Sequence, residues 1–170
     1  MIQIQVANQQ TALAIDRRRL CRAVRRILRE ASIAEARVSL AIVDDPTIRR
    51  LHRRFLARDH ATDVLSFTLE RSAGLLEGEV VVSAQTACRV AGRFGWSPAD
   101  ELLLYVIHGT LHLIGLEDGS PRGRAKMRAG ERQYLAKFGL EPPVDPGPPR
   151  RRKTSPPPRR PRSRRRSGGR

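Results

Sequence analysis

The sequence predicts an α+β protein with a single domain, in which a mixed sheet of about four strands packs with about five helices. Apolar residues alternate with polar ones in some segments and recur at helical spacing in others. Two Ser-Pro pairs are typical of helix starts, because serine caps a helix well and proline suits its first turn. At 170 residues the chain is long enough to bury a core of its own.

The first part of the chain is expected to form two strands and two helices. Ile2, Ile4 and Val6 alternate with polar residues, as in a strand with one buried face. Asp16 can cap a helix that runs to about residue 31, with apolar side chains on one side and arginines on the other. A second strand over 37–43 precedes a short helix. The predicted inward side chains of that helix are Ile48, Leu51, Phe55 and Leu56.

Two more strands and three helices are expected further along the chain. The strands cover 64–68 and 79–83, and their connection contains Gly74 and Gly78. One helix begins at Ser83 and ends at about residue 94. Ser97-Pro98 and Ser120-Pro121 then start two helices, the second of which ends at Gly139. The predicted inward side chains of this last helix are Met127, Tyr134, Leu135 and Phe138.

Residues 108–118 contain a candidate metal site. His108 and His112 are four residues apart, so on a helix they project from the same face. Gly115 can end that helix, because glycine tolerates the left-handed conformation of a helix cap. Asp118 can then turn back toward the two imidazoles. We expect His108, His112 and Asp118 to bind one zinc ion per chain, with a fourth position open to water as in catalytic zinc sites.

The two histidines also have two interpretations other than a catalytic zinc site. The histidines could be core residues with ordinary partners, since Val106, Ile107 and Leu111 make the helix largely apolar. Two buried imidazoles without partners would cost about 1–3 kcal/mol each, a cost that metal coordination removes. A zinc peptidase would carry a glutamate directly after the first histidine as its general base. Gly109 at that position argues against a peptidase.

The remaining histidines and the cysteines are given ordinary roles. His52 is expected on the surface or rim of a basic helix, and His60 lies in a loop, so neither is counted as a ligand. Cys21 and Cys88 are interpreted as small buried residues of helices. No disulfide framework, signal peptide or long apolar span is present, which favours a cytoplasmic protein without a membrane segment.

The basic charge is concentrated at the end of the sequence. Residues 1–149 contain 22 of the 33 lysines and arginines and all 17 acidic residues, a net charge of +5. Residues 150–170 contain the other 11 basic residues. The sequence therefore predicts a domain over 1–141 and a disordered tail rich in proline and arginine over 142–170. This tail either binds nucleic acid without sequence specificity or stays a solvated extension.

Two blocks of sequence resemble the YbeY endoribonucleases. Residues 108–118 resemble the family motif His-Gly-x-Leu-His-Leu-x-Gly-x-Asp-His. Residues 62–67 read Thr-Asp-Val-Leu-Ser-Phe, a second family block, without a change. The segment 78–83 and the position of Glu101 also fit the family's order of elements. The resemblance covers roughly residues 2–140, which leaves out the tail.

The resemblance implies a single α+β domain that binds one zinc ion and cleaves single-stranded RNA. It implies action on ribosomal RNA of the small subunit, in 16S 3′-end maturation and in ribosome quality control. His108 and His112 match two zinc ligands of the family, and Asp118 occupies the position of the third, a histidine. Leu56 occupies the position of a family arginine, so Arg54 and Arg58 are the candidates for holding RNA phosphate.

Two further functional hypotheses remain at this point, and no catalytic side chain is assigned. The chain could be an RNA-binding factor of ribosome assembly whose zinc is structural, or, less favoured, a metallopeptidase. Asp63 and Ser66 are candidates for the general base of the nuclease. Each also has a structural interpretation, since Asp63 can cap a turn and Ser66 can face outward from a strand.

Overall fold

A four-stranded mixed sheet and five helices make up the part of the chain that the structure, a computed structural model, describes: residues 1–72 and 74–142. This confirms the predicted α+β class. The predicted tail lies outside the described residues except for Pro142. In chain order the elements are β1 (Ile2–Asn8), α1 (Arg17–Glu30), β2 (Glu35–Val43), α2 (Asp45–Leu56), β3 (Val64–Ser72), β4 (Leu75–Ser83), α3 (Ala84–Phe94), α4 (Pro98–Leu113) and α5 (Pro121–Ala136).

The order of strands across the sheet is β1-β2-β4-β3. Strands β1, β2 and β4 are parallel, with Ile4 opposite Val38 and Leu40 opposite Val80. Strand β3 is antiparallel to β4 and forms one edge of the sheet. One side of β3 is therefore free to line a cleft, which is where the candidate site lies.

The two faces of the sheet are covered unequally. On one face, alternate residues of the strands pack with α1 and α4 in the main core. On the other face, α2 covers a small cluster near the ends of β2 and β4. That cluster consists of Ala41, Val43, Ile48, Leu65 and Val81. The rest of this face is lined by polar side chains, including Gln5, Ser39 and Glu79.

Side-chain caps fix where the helices begin, as the sequence predicts. Ser97 Oγ accepts a hydrogen bond from the backbone N–H of Asp100, and Pro98 occupies the first turn of α4. Ser83 and Ser120 cap α3 and α5 in the same way. Asp16 and Asp44 cap α1 and α2 through their carboxylates. For α1, α3, α4 and α5, whose starts were predicted, the caps lie at the predicted residues.

Several predictions about strand lengths and burial were wrong in detail. Strands β3 and β4 extend well beyond 64–68 and 79–83, because backbone pairing continues through polar residues and Gly78, where the apolar pattern is interrupted. Gly78 consequently lies inside β4. Cys21 and Cys88 are half-buried and free of disulfides.

The burial predicted for α2 was also incorrect at its end. Phe55 and Leu56 are 54% and 53% exposed, because the last turn of the helix extends past the cluster beneath it. His52, which was expected on the surface, is only 4% exposed. Its Nδ1 donates to the carbonyl oxygen of His60 at 2.9 Å, which holds the ring under the following loop.

Within the described residues, no helix combines the length and the apolar composition needed to cross a membrane.

Candidate metal centre

The two histidines of α4 face each other across one helical turn. Their Nε2 atoms are 3.0 Å apart and their ring centroids 4.7 Å apart. A zinc ion binds imidazole nitrogen at about 2.0–2.1 Å, so a single ion can contact both atoms. Both side chains are about one quarter exposed, at 22% for His108 and 24% for His112.

The turn after α4 brings a carboxylate to the same place. Gly115 has a φ of +94°, and its N–H donates to the carbonyl oxygen of His112. The N–H of Leu116 donates to the carbonyl oxygen of Leu111, which completes the paired hydrogen bonds of a helix end with glycine in the left-handed region. The chain then reverses. Asp118 Oδ2 lies 3.8 Å from His108 Nε2 and 3.9 Å from His112 Nε2.

One atom from each of these three side chains forms a group that fits a metal ion. The three atoms lie within 4.8 Å of one another, and among the described residues this is the group of histidine, cysteine and acidic side chains close enough to share an ion. Two imidazoles and one carboxylate are a donor set typical of catalytic zinc, which keeps its fourth position open. The Asp118 side chain is 46% exposed, so the group opens to solvent on that side.

Glu131 of α5 supports the first histidine from behind. Its Oε1 lies 2.6 Å from His108 Nδ1, and both side chains are mostly buried. Burial of the imidazole opposes its charged form, but the hydrogen bond and charge of Glu131 outweigh this and raise the pKa of His108. Glu131 was not predicted from the sequence, because it is 23 residues from His108 and contacts it only through the packing of α5 on α4.

A cleft of about 460 Å³ leads to this group. Residues of β3 and of the preceding loop line it, including Thr62, Ser66 and Thr68. The metal group and Glu117 line it as well. Leu56, the last residue of α2, and Arg58 complete this lining. The cleft therefore brings potential metal ligands and a cation together beside the edge strand.

The two arginines predicted to hold phosphate occupy different places. Arg58 lines the cleft with the metal group. Arg54 is not among the residues that line it, and its guanidinium carbon lies 5.4 Å from the centre of the Phe55 ring. Only Arg58 of the two is thus brought together with the predicted metal ligands.

The two candidates for the general base both make contacts that stabilise the fold. Asp63 Oδ1 accepts hydrogen bonds from Thr62 Oγ1 and from the backbone N–H of Val64, each at 2.9 Å. Ser66 Oγ donates to the carbonyl oxygen of Gly109 at 3.1 Å, which ties β3 to α4. Both side chains line the cleft, and their catalytic role stays a prediction.

Glu101 is buried in α4 away from the metal group. It is 4% exposed, and its Oε2 has no hydrogen-bond partner among the described residues. Burial raises the pKa of this carboxyl; the Tyr105 hydroxyl opposes the shift and the charge of Asp63 adds to it. Glu101 shares a second cavity with Asp63, His108 and Glu131, on the far side of the loop that borders the cleft.

The packing of α4 leaves no room for the general base of a zinc peptidase. A Cβ atom at Gly109 would lie 2.6 Å from Val80 Cγ1 and 2.9 Å from Val64 Cγ2. Real Cβ atoms do not approach other atoms this closely, so a glutamate at this position would displace the helix from the sheet. The structure thus adds a steric reason to the sequence argument against a peptidase.

A family model and individual relatives agree on one family for this chain. Residues 5–139 match the family model described as Endoribonuclease YbeY. The Endoribonuclease YbeY of Rhodopirellula baltica is 45% identical over 109 residues, which are 63% of this chain and 56% of that protein. That of Moorella thermoacetica is 36% identical over 151 residues, covering 79% of this chain and 96% of that protein.

A solved structure agrees with these matches. The solution structure of TM1509 from Thermotoga maritima is 26% identical, with a TM-score of 0.53. The similarity covers 86% of this chain and 100% of that one. The family model spans all nine described elements except the first three residues of β1. The chain therefore belongs to the YbeY family of endoribonucleases, a family of hydrolytic enzymes.

Proposed function

We propose that this protein is a zinc-dependent endoribonuclease that cleaves single-stranded RNA. Its proposed substrate is ribosomal RNA of the small subunit, in 16S 3′-end maturation and ribosome quality control in the cytoplasm. The observation that carries this proposal is the group of His108, His112 and Asp118, whose ligand atoms lie within 4.8 Å of one another in an open cleft. One zinc ion per chain fits this group.

Each residue of the cleft has a task that its position supports. When bound, zinc supplies Lewis acidity toward a phosphate oxygen and toward water. Glu131 keeps the proton of His108 on Nδ1, so that the lone pair of Nε2 faces the ion. The turn at Gly115 directs Asp118 to the third ligand position. Arg58, which lines the same cleft, can donate hydrogen bonds to a phosphate of the bound strand.

The rival proposal is an RNA-binding assembly factor with a structural zinc ion. It is favoured by Leu56, an exposed apolar residue at the position where the resemblance implies an arginine. The cleft consequently has a single arginine, Arg58, among its lining residues. One arginine gives fewer contacts to a reacting phosphate than two would, so this cleft is expected to catalyse weakly. Weak catalysis favours the assembly factor.

A cleavage experiment distinguishes the two proposals. Zinc-loaded protein is incubated with a labelled single-stranded fragment from the 3′ end of small-subunit ribosomal RNA. We expect cleavage by the unmodified protein and none after chelation, with His112→Ala or with Asp118→Asn. Glu117→Gln is the matched control, since Glu117 is a neighbouring carboxylate of the same cleft outside the metal group.

Two outcomes would contradict the nuclease proposal. Equal cleavage by His112→Ala and by the unmodified protein would mean that the activity comes from elsewhere. Absence of cleavage by a folded protein that holds one zinc ion per chain would favour the assembly factor. Folding is checked by circular dichroism, and the zinc content by a metal assay of the same samples.

A further inference from the structure

Two of the exposed apolar residues of the described chain are consecutive, and one of them lines the cleft. Four large hydrophobic side chains are exposed: Met1, Phe55, Leu56 and Leu69. Phe55 and Leu56 are consecutive and form the last turn of α2. Leu56 also lines the cleft that contains the metal group. Apolar surface that is left open beside a candidate active site is a common sign of a binding surface.

The Phe55 ring is held in place rather than loosely exposed. Its centroid lies 5.2 Å from that of Phe67, at an interplanar angle of 60°. Phe67 in turn packs against the small cluster under α2. The guanidinium carbon of Arg54 lies 5.4 Å from the centre of the Phe55 ring. An aromatic ring that is supported from one side and 54% exposed presents an open surface to a ligand.

Charge identifies the kind of ligand that suits this surface. Arg54 lies over the ring and Arg58 follows two residues after Leu56, so cations flank the apolar side chains. An exposed aromatic ring beside an arginine, with a second arginine in the adjoining cleft, suits a molecule with a flat π-face and a negative backbone. Proteins that hold single-stranded nucleic acids combine these two features, with bases stacked on aromatic rings and phosphates near arginine.

We propose that Phe55 and Leu56 form a stacking subsite for an unpaired nucleobase of the RNA strand that occupies the cleft. This inference rests on the proposed function and specifies its substrate. The subsite accepts any base, because each base has a π-face, and it needs a base that is free of a partner strand. Arg54, which lies over the Phe55 ring, contacts a phosphate of the same strand in this proposal. It thus has a role in RNA binding although it does not line the cleft.

The subsite gives Leu56 a function where the resemblance implies an arginine. An apolar side chain next to Phe55 extends the stacking surface, whereas an arginine would contact phosphate. Selection for unpaired RNA then comes from the shape of the binding surface rather than from the metal. In a duplex the bases are stacked on one another and do not reach the ring.

The test measures binding by the zinc-loaded full-length protein to a short single-stranded 2′-O-methyl oligonucleotide that resists cleavage. We expect Phe55→Ala to weaken binding about 5- to 150-fold, the range for loss of one stacked base. Phe55→Trp should retain the affinity, and its fluorescence should be quenched when the oligonucleotide binds. Leu69→Ala is the matched control, because Leu69 is 68% exposed and lines a different cavity, with Gln3 and Glu77, and it should bind normally.

An oligonucleotide with one abasic position, moved along the strand, tests the contact itself. At one position the abasic change should weaken binding to the unmodified protein and have no further effect on Phe55→Ala. Unchanged binding by Phe55→Ala would overturn the inference. It would also be overturned if sedimentation revealed a dimer that Phe55→Ala abolishes, since the surface would then join two copies of the chain.

The two proposals fail in different ways. If Phe55→Ala weakens binding but no RNA is cleaved by any form, the subsite stands and the nuclease proposal fails. If cleavage requires the metal group but Phe55→Ala binds and cleaves as the unmodified protein does, the nuclease stands and the subsite is excluded.

Discussion

The hydrogen bond between Glu131 and His108 determines which nitrogen of the imidazole faces the metal group. Because the carboxylate accepts a hydrogen bond from Nδ1–H, the neutral ring leaves Nε2 unprotonated, and this is the atom close to His112 and Asp118. The arrangement also holds the ring at a fixed rotation. We infer that Glu131 is a positioning residue, which would act on a bound ion through His108.

We therefore expect Glu131→Gln to lower zinc affinity by about 10- to 100-fold, as is typical when the partner of a ligating histidine is changed. Glutamine can accept the hydrogen bond but lacks the charge, so Glu131→Ala should weaken binding further. Competition with a chromophoric chelator measures the affinity directly. Arg132→Ala, an exposed change on the same helix, should leave it unaltered. Equal zinc affinities in all four proteins would contradict this role of Glu131.

The residues of the metal group could be predicted from the sequence because they are local. Helical geometry places His108 beside His112, and the glycine turn returns Asp118 within a few residues. The partners that come from other elements could not be predicted in this way. Glu131 and the buried position of His52 depend on how α5 and α2 pack, and no spacing in the sequence reports that packing.

At the scale of elements, close packing of α4 on the sheet sets the position of the site. A Cβ at Gly78 of β4 would lie 2.8 Å from Leu113 Cδ2, and one at Gly109 would lie 2.6 Å from Val80 Cγ1. The absence of side chains at these two glycines lets the last turns of α4 approach β3 and β4. The histidines then lie beside the edge strand, where the cleft is open.

This packing predicts opposite effects for two glycine substitutions in helices. Gly109→Ala should destabilise the fold by about 1–3 kcal/mol, the usual range for overpacking a filled site. Gly92→Ala in α3 should stabilise it by about 0.5–1 kcal/mol, since a Cβ there meets nothing within 4 Å. Urea unfolding of both variants measures the two effects. Stabilisation by Gly109→Ala would show that α4 can move away from the sheet without loss.

Element starts were predictable, whereas the ends of elements and the exposed turn of α2 were not. Ser83, Ser97 and Ser120 mark the starts of their helices, because each accepts a capping hydrogen bond from the backbone N–H three residues later. The pattern of α2 remains apolar through Phe55 and Leu56, although the cluster beneath it ends earlier. Periodicity shows which side of a helix is apolar, but the extent of the surface that covers it is a tertiary property.

For the molecule as a whole, most of the net charge lies outside the part of the sequence that forms the described fold. The complete sheet, both apolar clusters and the metal group lie within the first 140 residues. Of the net charge of +16, residues 150–170 contribute +11, from 11 basic residues and no acidic one. Removal of the C-terminal residues should therefore lower the general affinity for polyanions and leave substrate binding at the cleft intact.

Removing residues 142–170 should weaken general RNA binding and make it less dependent on salt. Each phosphate contact that is lost reduces the slope of log affinity against log salt by about 0.7 for single strands. Binding titrations between low and high salt measure this slope. The rate of cleavage at saturating RNA should stay the same, because the metal group lies in the retained part. If the chain with and without residues 142–170 had the same salt slope, the tail would not contact RNA phosphates.

The C-terminal end of α4 contributes to the electrostatic potential of the cleft. A helix C-terminus carries the equivalent of roughly half a negative charge, and here it points toward a cleft lined by Asp63, Glu117 and Asp118, with Arg58 as the opposing cation. Such a cleft attracts divalent cations and repels phosphate. A bound divalent ion would offset most of this negative charge. We therefore expect the protein to bind RNA more tightly when its metal group is loaded than when it is empty, so that the metal acts as a switch for substrate binding as well as a cofactor.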